Sequence, residues 1–184
     1  MRLVFSLVLV FVFAGSAVAE DDSGQSLYQT SARWTTQSNS QMELKELKGK
    51  LVVLAMAYTS CPYSCPLTIA LMKKIEARVP KSERGKVQYV LVSLDPDHDT
   101  PEAMDKFAKK SGFDPSHWTL LTGASDDVRE LAVLLGIKYQ NTTSGEINHT
   151  TLVALLDREG KVVARQEGLG GDGDALSRAL LRSF

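Results

Sequence analysis

The sequence has little cysteine and almost no excess of charge. Only two cysteines, Cys61 and Cys65, occur among 184 residues, which excludes a disulfide scaffold held by several bridges. The 21 basic and 22 acidic residues leave a formal net charge of −1. The chain therefore has no basic field that would bind nucleic acid and no basic cluster that would mark a membrane-surface protein.

The first 19 residues have the pattern of a secretory signal peptide. Met1-Arg2 is a short basic start, Leu3 to Phe13 is almost wholly apolar, and Ala17-Val18-Ala19 is a small-x-small cleavage site. Cleavage would leave residues 20–184 as a single periplasmic domain with no lipid anchor, since no cysteine follows the site. An uncleaved membrane anchor is less favoured, because the apolar stretch is at the short edge of a span of roughly 17–25 residues.

Hydrophobic patterning in the rest of the chain predicts alternating strands and helices. Leu51 to Tyr58 and Val87 to Leu94 are continuous apolar runs, as expected of strands buried on both faces. Residues 150–156 and 161–167 are predicted strands joined by a hairpin turn. The resulting order β-α-β-α-(β)-α-β-β-α predicts an α/β layered domain.

The intervening segments supply the helices. A helix after the cysteines would bury a stripe at Leu67, Leu71, Ile75 and Val79. A second helix would begin after the N-cap Thr100 and stop at Gly112, and a third would carry Val128, Leu131, Leu134 and Leu135 and close at Gly136. A last helix, Ala175 to Ser183, would be capped by Asp174.

Three further segments have weaker patterns. Residues 27–47 indicate a leading hairpin or a pair of short strands. Residues 119–121 are a short strand at best, and residues 140–145 indicate a polar loop.

The two cysteines follow the first buried strand and open a helix. A loop at the carboxyl end of a buried strand is the usual place for a site in such a sheet. Four residues apart, the two sulfurs would lie on the same side, within reach of a disulfide or of one ion. A helix N-terminus favours thiolates, so we expect both thiols to be more acidic than an ordinary cysteine.

Two thiolates do not complete a metal site, and three histidines are candidates for a third ligand. His149 directly precedes a predicted strand, His98 lies in the loop after the second strand, and His117 lies beside Trp118. Taken singly, each is more often an ordinary loop histidine than a ligand. Thiolates with one imidazole suit Cu(I) and also zinc, so the composition favours copper only slightly.

The chain resembles the SCO/SenC family of thioredoxin-like copper proteins. The similar elements run from about Ser26 to Gly160 and comprise "SLYQ", "LKELKGKLVVL", "TSCPYSCP", "SLDPDHDTPEAMDKFAKK", "WTLLTG" and "GEINHTT". The C-x-x-x-C-P motif, the D-P-x-x-D-T-P loop and the downstream H-T are specific when they occur in this order and spacing.

The resemblance implies a thioredoxin-like fold, with a central mixed sheet flanked by helices, in which Cys61, Cys65 and His149 hold copper as Cu(I) or Cu(II). It implies delivery of copper to the copper A site of cytochrome c oxidase subunit II, or preparation of the thiols there. Asp95 and Asp99 match family positions and are candidates for support near the metal or for a structural turn, whereas His98 falls at a variable position.

The sequence also departs from the family. Pro62-Tyr63-Ser64 lacks the acidic or amide residue that many relatives carry between the cysteines, and "MAYTSC" replaces their phenylalanine-rich approach. Most relatives are anchored in a membrane. A freely diffusing, monomeric member is expected to serve either the oxidase or another periplasmic copper enzyme.

Rival functions also use the two cysteines. A thiol–disulfide oxidoreductase would use the Cys61–Cys65 couple with a partner protein and would not require His149. A peroxiredoxin-type peroxidase is disfavoured because Ala55 stands where that active site requires proline, four residues before Thr59. An extracellular domain with a purely structural disulfide is the remaining alternative.

Overall fold

A seven-stranded mixed sheet forms the centre of the protein in the computed structural model, which describes residues 24–62, 64–142, 146–168 and 172–184. Its strands lie in the order β2-β1-β5-β4-β3-β8-β9, and a separate two-stranded sheet pairs β6 with β7. In chain order the strands are β1 (Trp34–Thr36), β2 (Gln41–Met42), β3 (Leu51–Ala57), β4 (Val87–Ser93), β5 (Trp118–Thr122), β6 (Tyr139–Asn141), β7 (Ile147–His149), β8 (Leu152–Leu156) and β9 (Val162–Glu167).

Strands β3 and β4 form the middle of the large sheet, as their apolar sequences predict. Every residue of both strands is buried, and they pair in parallel with Leu54 opposite Val90. On its other side β3 pairs antiparallel with β8, with Ala55 opposite Val153. The carboxyl end of β3 therefore lies beside the amino end of β8.

The described part of the chain has four α-helices: α1 (Ser64–Arg78), α2 (Pro101–Ser111), α3 (Ser125–Leu135) and α4 (Asp174–Arg182). Helices α1 and α4 pack against each other and against strands of the central sheet, and α2 contacts β5. The Thr100 side chain accepts a hydrogen bond from the Ala103 N–H, as the N-cap prediction requires. The predicted α/β, thioredoxin-like fold is confirmed.

Two predictions about helices were wrong in detail. Asp174 is the first residue of α4 rather than its cap, because Gly173 takes the N-cap position and the Asp174 carboxylate pairs with Arg78. Leu67 is 55% exposed, although Leu71 and Ile75 are buried on the same helix. The start of α4 at Gly173 covers Leu71 and Ile75. Leu67 lies one helical turn before Leu71, beyond the residues that this contact covers, and stays exposed.

Two predictions about strands also need correction. The segment around residue 120 is a five-residue strand between β4 and β1, because pairing on both edges supports a run too short to be recognised by its pattern. The predicted polar loop at 140–145 begins instead as β6, which pairs with β7 so that Tyr139 lies opposite His149. Residues 143–145 lie outside the described part of the chain.

Within the described residues, no helix has both the length and the apolarity needed to cross a bilayer. The predicted signal peptide, residues 1–19, lies outside the described residues.

The hairpin between β8 and β9 generates a prediction about stability. Gly160 has φ +80°, and a Cβ built there would approach Tyr28 Cγ to 2.5 Å. We expect Gly160→Ala to lower the free energy of unfolding by about 2–4 kcal/mol, because both the left-handed backbone and the tyrosine ring oppose a methyl group. Gly49 is the matched control, with φ +89° and no atom within 4 Å of a built Cβ. Gly49→Ala should cost about 1 kcal/mol, and equal losses in urea unfolding of the two variants would contradict the role of the Tyr28 contact.

Candidate metal centre

The fold brings together three side chains that the sequence singled out. Cys61, Cys65 and His149 each offer one ligand atom, and these atoms all lie within 4.8 Å of one another. Among the residues described, this is the only group of three or more histidine, cysteine and acidic side chains so arranged. The cysteines follow the carboxyl end of β3, and His149 ends β7 just before β8, so the β3–β8 pairing accounts for their meeting.

Cys65 is the more deeply placed of the two thiols. It is 1% exposed on the first turn of α1, and its Sγ accepts a hydrogen bond from the Tyr58 N–H at 3.5 Å. Burial raises the pKa of the Cys65 thiol to about 12, against the lowering effect of that N–H. The expectation of an acidic thiol is therefore wrong for Cys65, because loss of hydration outweighs the field of the helix N-terminus.

Cys61 precedes α1 and is only half-buried. Its Sγ accepts a hydrogen bond from the Cys65 N–H at 3.5 Å and lies 3.4 Å from Ser64 Oγ. The pair therefore consists of one half-buried and one buried cysteine, joined by the hydrogen bond from the Cys65 N–H to Cys61 Sγ.

His149 presents its Nε2 atom to the sulfurs. Its Nδ1 lies 3.2 Å from the Thr150 carbonyl oxygen, which can only accept, so we assign the ring hydrogen to Nδ1. Nε2 then carries the lone pair and lies 3.9 Å from Cys65 Sγ and 3.3 Å from Ser64 Oγ. Burial lowers the pKa of His149, which favours the neutral imidazole that metal binding requires.

The other two histidines do not join this group. His98 is exposed and hydrogen-bonds Asp95 through Nδ1 at 2.8 Å. His117 lies 2.6 Å from a Glu76 carboxylate oxygen and packs its ring edge-on to Tyr89. Glu76 lies eleven residues after Cys65 on α1, and neither histidine belongs to the cluster.

The two aspartates have different surroundings. Asp99 is buried and accepts hydrogen bonds from the Thr59 N–H, the Thr59 hydroxyl and the Ser93 hydroxyl. It thus ties the segment just before Cys61 to the end of β4. Asp95 instead directs its carboxylate to His98.

Two residues of the site were missed from the sequence. Ser64 lies between Cys61 and His149, and its signal was a hydroxyl three residues after a cysteine, which is common by chance. The Tyr58 hydroxyl accepts a hydrogen bond from the Ile147 N–H at 3.3 Å, and its ring meets the His149 ring edge-on. Tyr58 carried no sequence signal beyond its place at the end of a buried run.

The fold and this cluster define a thioredoxin-like protein with a Cys-Cys-His site at the carboxyl end of a central strand. The sequence model of the SCO1/SenC family matches residues 20–180. The chain belongs to the SCO1/SenC family.

Known proteins support this assignment. A Stutzerimonas stutzeri protein with "copper-binding" in its name is 27% identical over 132 residues, which cover 68% of this chain and 62% of that relative. The chain thus spans less than two thirds of that relative's length. A SCO1/SenC family lipoprotein from Bacillus anthracis is 31% identical with a TM-score of 0.75, covering 82% of this chain and 91% of that one. ScoI of Bradyrhizobium japonicum, solved with copper bound, is 27% identical with a TM-score of 0.69, covering 83% and 97%.

The unequal burial of the thiols predicts unequal reactivity. In the reduced protein we expect iodoacetamide to modify Cys61 first and Cys65 at least about 100-fold more slowly than in the unfolded chain, because burial and the raised pKa both suppress the Cys65 thiolate. Peptide mass spectrometry over a time course measures this order. The control is the same reaction in guanidinium, where the two cysteines should react alike; faster modification of Cys65 in the folded protein would contradict the burial described.

The contrast between the aspartates predicts unequal effects of a single change. Asp99→Asn should lower the free energy of unfolding by about 2–3 kcal/mol, because an amide is a weaker acceptor than a carboxylate for the hydrogen bonds from the Thr59 N–H and the two hydroxyls. Asp95→Asn is the matched control and should leave the urea midpoint almost unchanged, because an amide oxygen can still accept from His98. Similar midpoints for the two variants would contradict the buried role of Asp99.

Proposed function

We propose that this protein binds one copper ion through Cys61, Cys65 and His149 and passes it to a copper site in another exported protein. The observation that carries the proposal is the approach of two sulfurs and one imidazole nitrogen to within 4.8 Å of one another. Soft thiolates suit Cu(I), and an imidazole helps accommodate Cu(II), so one site can hold both oxidation states.

The comparisons support copper as the cargo. The relative from Bradyrhizobium japonicum was solved with copper bound, and the Stutzerimonas relative has copper binding in its name. Zinc also accepts this donor set, but neither of these two relatives is described with zinc.

The recipient follows from the family resemblance. We propose the copper A site of cytochrome c oxidase subunit II or the site of another periplasmic copper enzyme. Residues 1–19 would be removed as a signal peptide, and residues 20–184 would act as one monomeric periplasmic domain.

Copper binding at this site would release a proton from the Cys65 thiol. The Cys65 thiol, whose pKa burial raises to about 12, must give up its proton when the sulfur binds the ion. Copper affinity should therefore rise with pH across the neutral range. Asp99 would act indirectly by fixing the Thr59 segment ahead of Cys61, whereas the Asp95 carboxylate bonds His98.

A second candidate function is thiol–disulfide exchange with a partner protein. The half-buried Cys61 is placed to attack a partner disulfide, and the enclosed Cys65 is placed to displace the partner from the mixed disulfide. The partner would gain two thiols as the Cys61–Cys65 disulfide forms. This chemistry is compatible with copper delivery, since it can prepare the recipient's thiols.

Copper titration of reduced variants tests the proposal. We expect the parent to bind one ion per chain, and Cys61→Ser or Cys65→Ser to abolish tight binding of both oxidation states. His149→Ala should weaken Cu(II) binding more than Cu(I) binding, because two thiolates can still hold Cu(I) in a linear arrangement. Anaerobic competition with a Cu(I) chelator measures the Cu(I) affinity. The intensity of the sulfur-to-copper charge-transfer band during titration measures Cu(II) binding.

His98→Ala and His117→Ala are the matched controls and should bind like the parent, because both histidines lie outside the cluster. If His149→Ala binds both oxidation states like the parent, the proposed third ligand is wrong. Retention of thiol–disulfide exchange in that variant would then favour the second candidate function.

A further inference from the structure

The Ser64 side chain lies between two of the proposed copper ligands. Its Oγ is 3.4 Å from Cys61 Sγ and 3.3 Å from His149 Nε2. Ser64 is the first residue of α1, so its position is fixed by the same helix that carries Cys65. The function proposed above assigns no role to this hydroxyl.

The hydrogen-bond partners give this contact a direction. Because His149 Nδ1 donates to the Thr150 carbonyl, Nε2 can only accept. In the contact between Ser64 Oγ and Nε2, Ser64 is therefore the donor. A hydroxyl has one hydrogen, so while that hydrogen is given to Nε2 the Ser64 oxygen can only accept in its contact with the Cys61 sulfur.

Copper binding would reverse these roles. An Nε2 atom that binds a metal ion has no lone pair left to accept a hydrogen bond, and a Cys61 sulfur that has lost its hydrogen can only accept one. Ser64 Oγ is already within 3.4 Å of both atoms. Rotation of the hydroxyl hydrogen alone would move the bond from one acceptor to the other.

We propose that Ser64 is a positioning residue whose hydroxyl bonds His149 Nε2 in the metal-free dithiol protein and the Cys61 sulfur in the copper-loaded protein. This inference rests on the proposed function. The first bond keeps Nε2 turned towards the sulfurs before copper arrives. The second withdraws electron density from the Cys61 sulfur, and hydrogen bonds to a ligating sulfur shift the balance between oxidation states of a metal. In this site the shift should favour Cu(I).

The test compares Ser64→Ala, which removes the hydroxyl, with Ser64→Thr, which keeps it. Ser125→Ala is the matched control, because Ser125 is also the first residue of a helix, α3, and is exposed. Unfolding midpoints establish that all three variants fold. The ¹⁵N resonances of the His149 ring are then recorded in the metal-free reduced protein, and the Cu(II) charge-transfer band is recorded after loading.

We expect the Nε2 resonance of Ser64→Ala to move towards the position of a nitrogen without a hydrogen bond, while Ser64→Thr and Ser125→Ala resemble the parent. After loading, the charge-transfer band of Ser64→Ala should move to longer wavelength, with one copper still bound per chain. Competition assays should show Cu(II) favoured over Cu(I) relative to the parent.

An Nε2 resonance or a charge-transfer band that Ser64→Ala leaves unchanged would overturn the proposal. A shift shared by Ser64→Thr would also overturn it, because threonine retains the hydroxyl. If the parent binds no copper, the proposed function and the copper-loaded half of this inference both fail. The metal-free spectra still decide the Ser64–His149 bond independently.

Discussion

The antiparallel pairing of β3 with β8 is the constraint on which the candidate site depends. It places the carboxyl end of one buried strand beside the amino end of another, although His149 lies 84 residues after Cys65 in the chain. A register shift of one residue would turn every side chain of β8 to the opposite face. All five β8 residues are buried and they differ in size, so such a shift would mispack both faces of the strand, and core packing therefore fixes the position of the histidine.

The two cysteines differ in how deeply they are buried at this edge of the sheet. Cys65 faces the core, where desolvation raises its pKa and the Tyr58 amide holds its sulfur. Cys61 remains half-buried at the surface. In the two proposed functions, the copper ion or the partner disulfide would therefore meet Cys61 first and Cys65 second. Both candidate functions use this order of contact.

Hydrogen bonds from the surrounding residues hold the three candidate ligands and the loop before Cys61 in place. The Asp99 carboxylate accepts hydrogen bonds from Thr59 and Ser93 and so holds the loop between β3 and Cys61 against the end of β4. The Thr150 carbonyl fixes the tautomer of His149, and the Tyr58 hydroxyl joins β7 to the end of β3. These contacts hold the candidate ligands in place, which is the role that hydrogen bonds behind metal ligands commonly have.

The sequence by itself determined the buried strands β3 and β4, the Thr100 cap, the β8–β9 hairpin and the placement of the cysteines at a strand end, because these depend on local patterns of apolar and turn residues. The family motifs further predicted His149 as the third ligand among three histidines that composition alone left equal, and the structure places it with the two cysteines. Only the tertiary structure decided the extent of β5, the β6–β7 pairing and the exposure of Leu67, since each depends on neighbours distant in the chain. It also decided the raised pKa of Cys65, the bracing role of Asp99 and the place of Ser64 between Cys61 and His149. The local sequence shows which groups are able to donate or accept a hydrogen bond or to ionise. Burial and the neighbours that the fold supplies determine which of these groups do so.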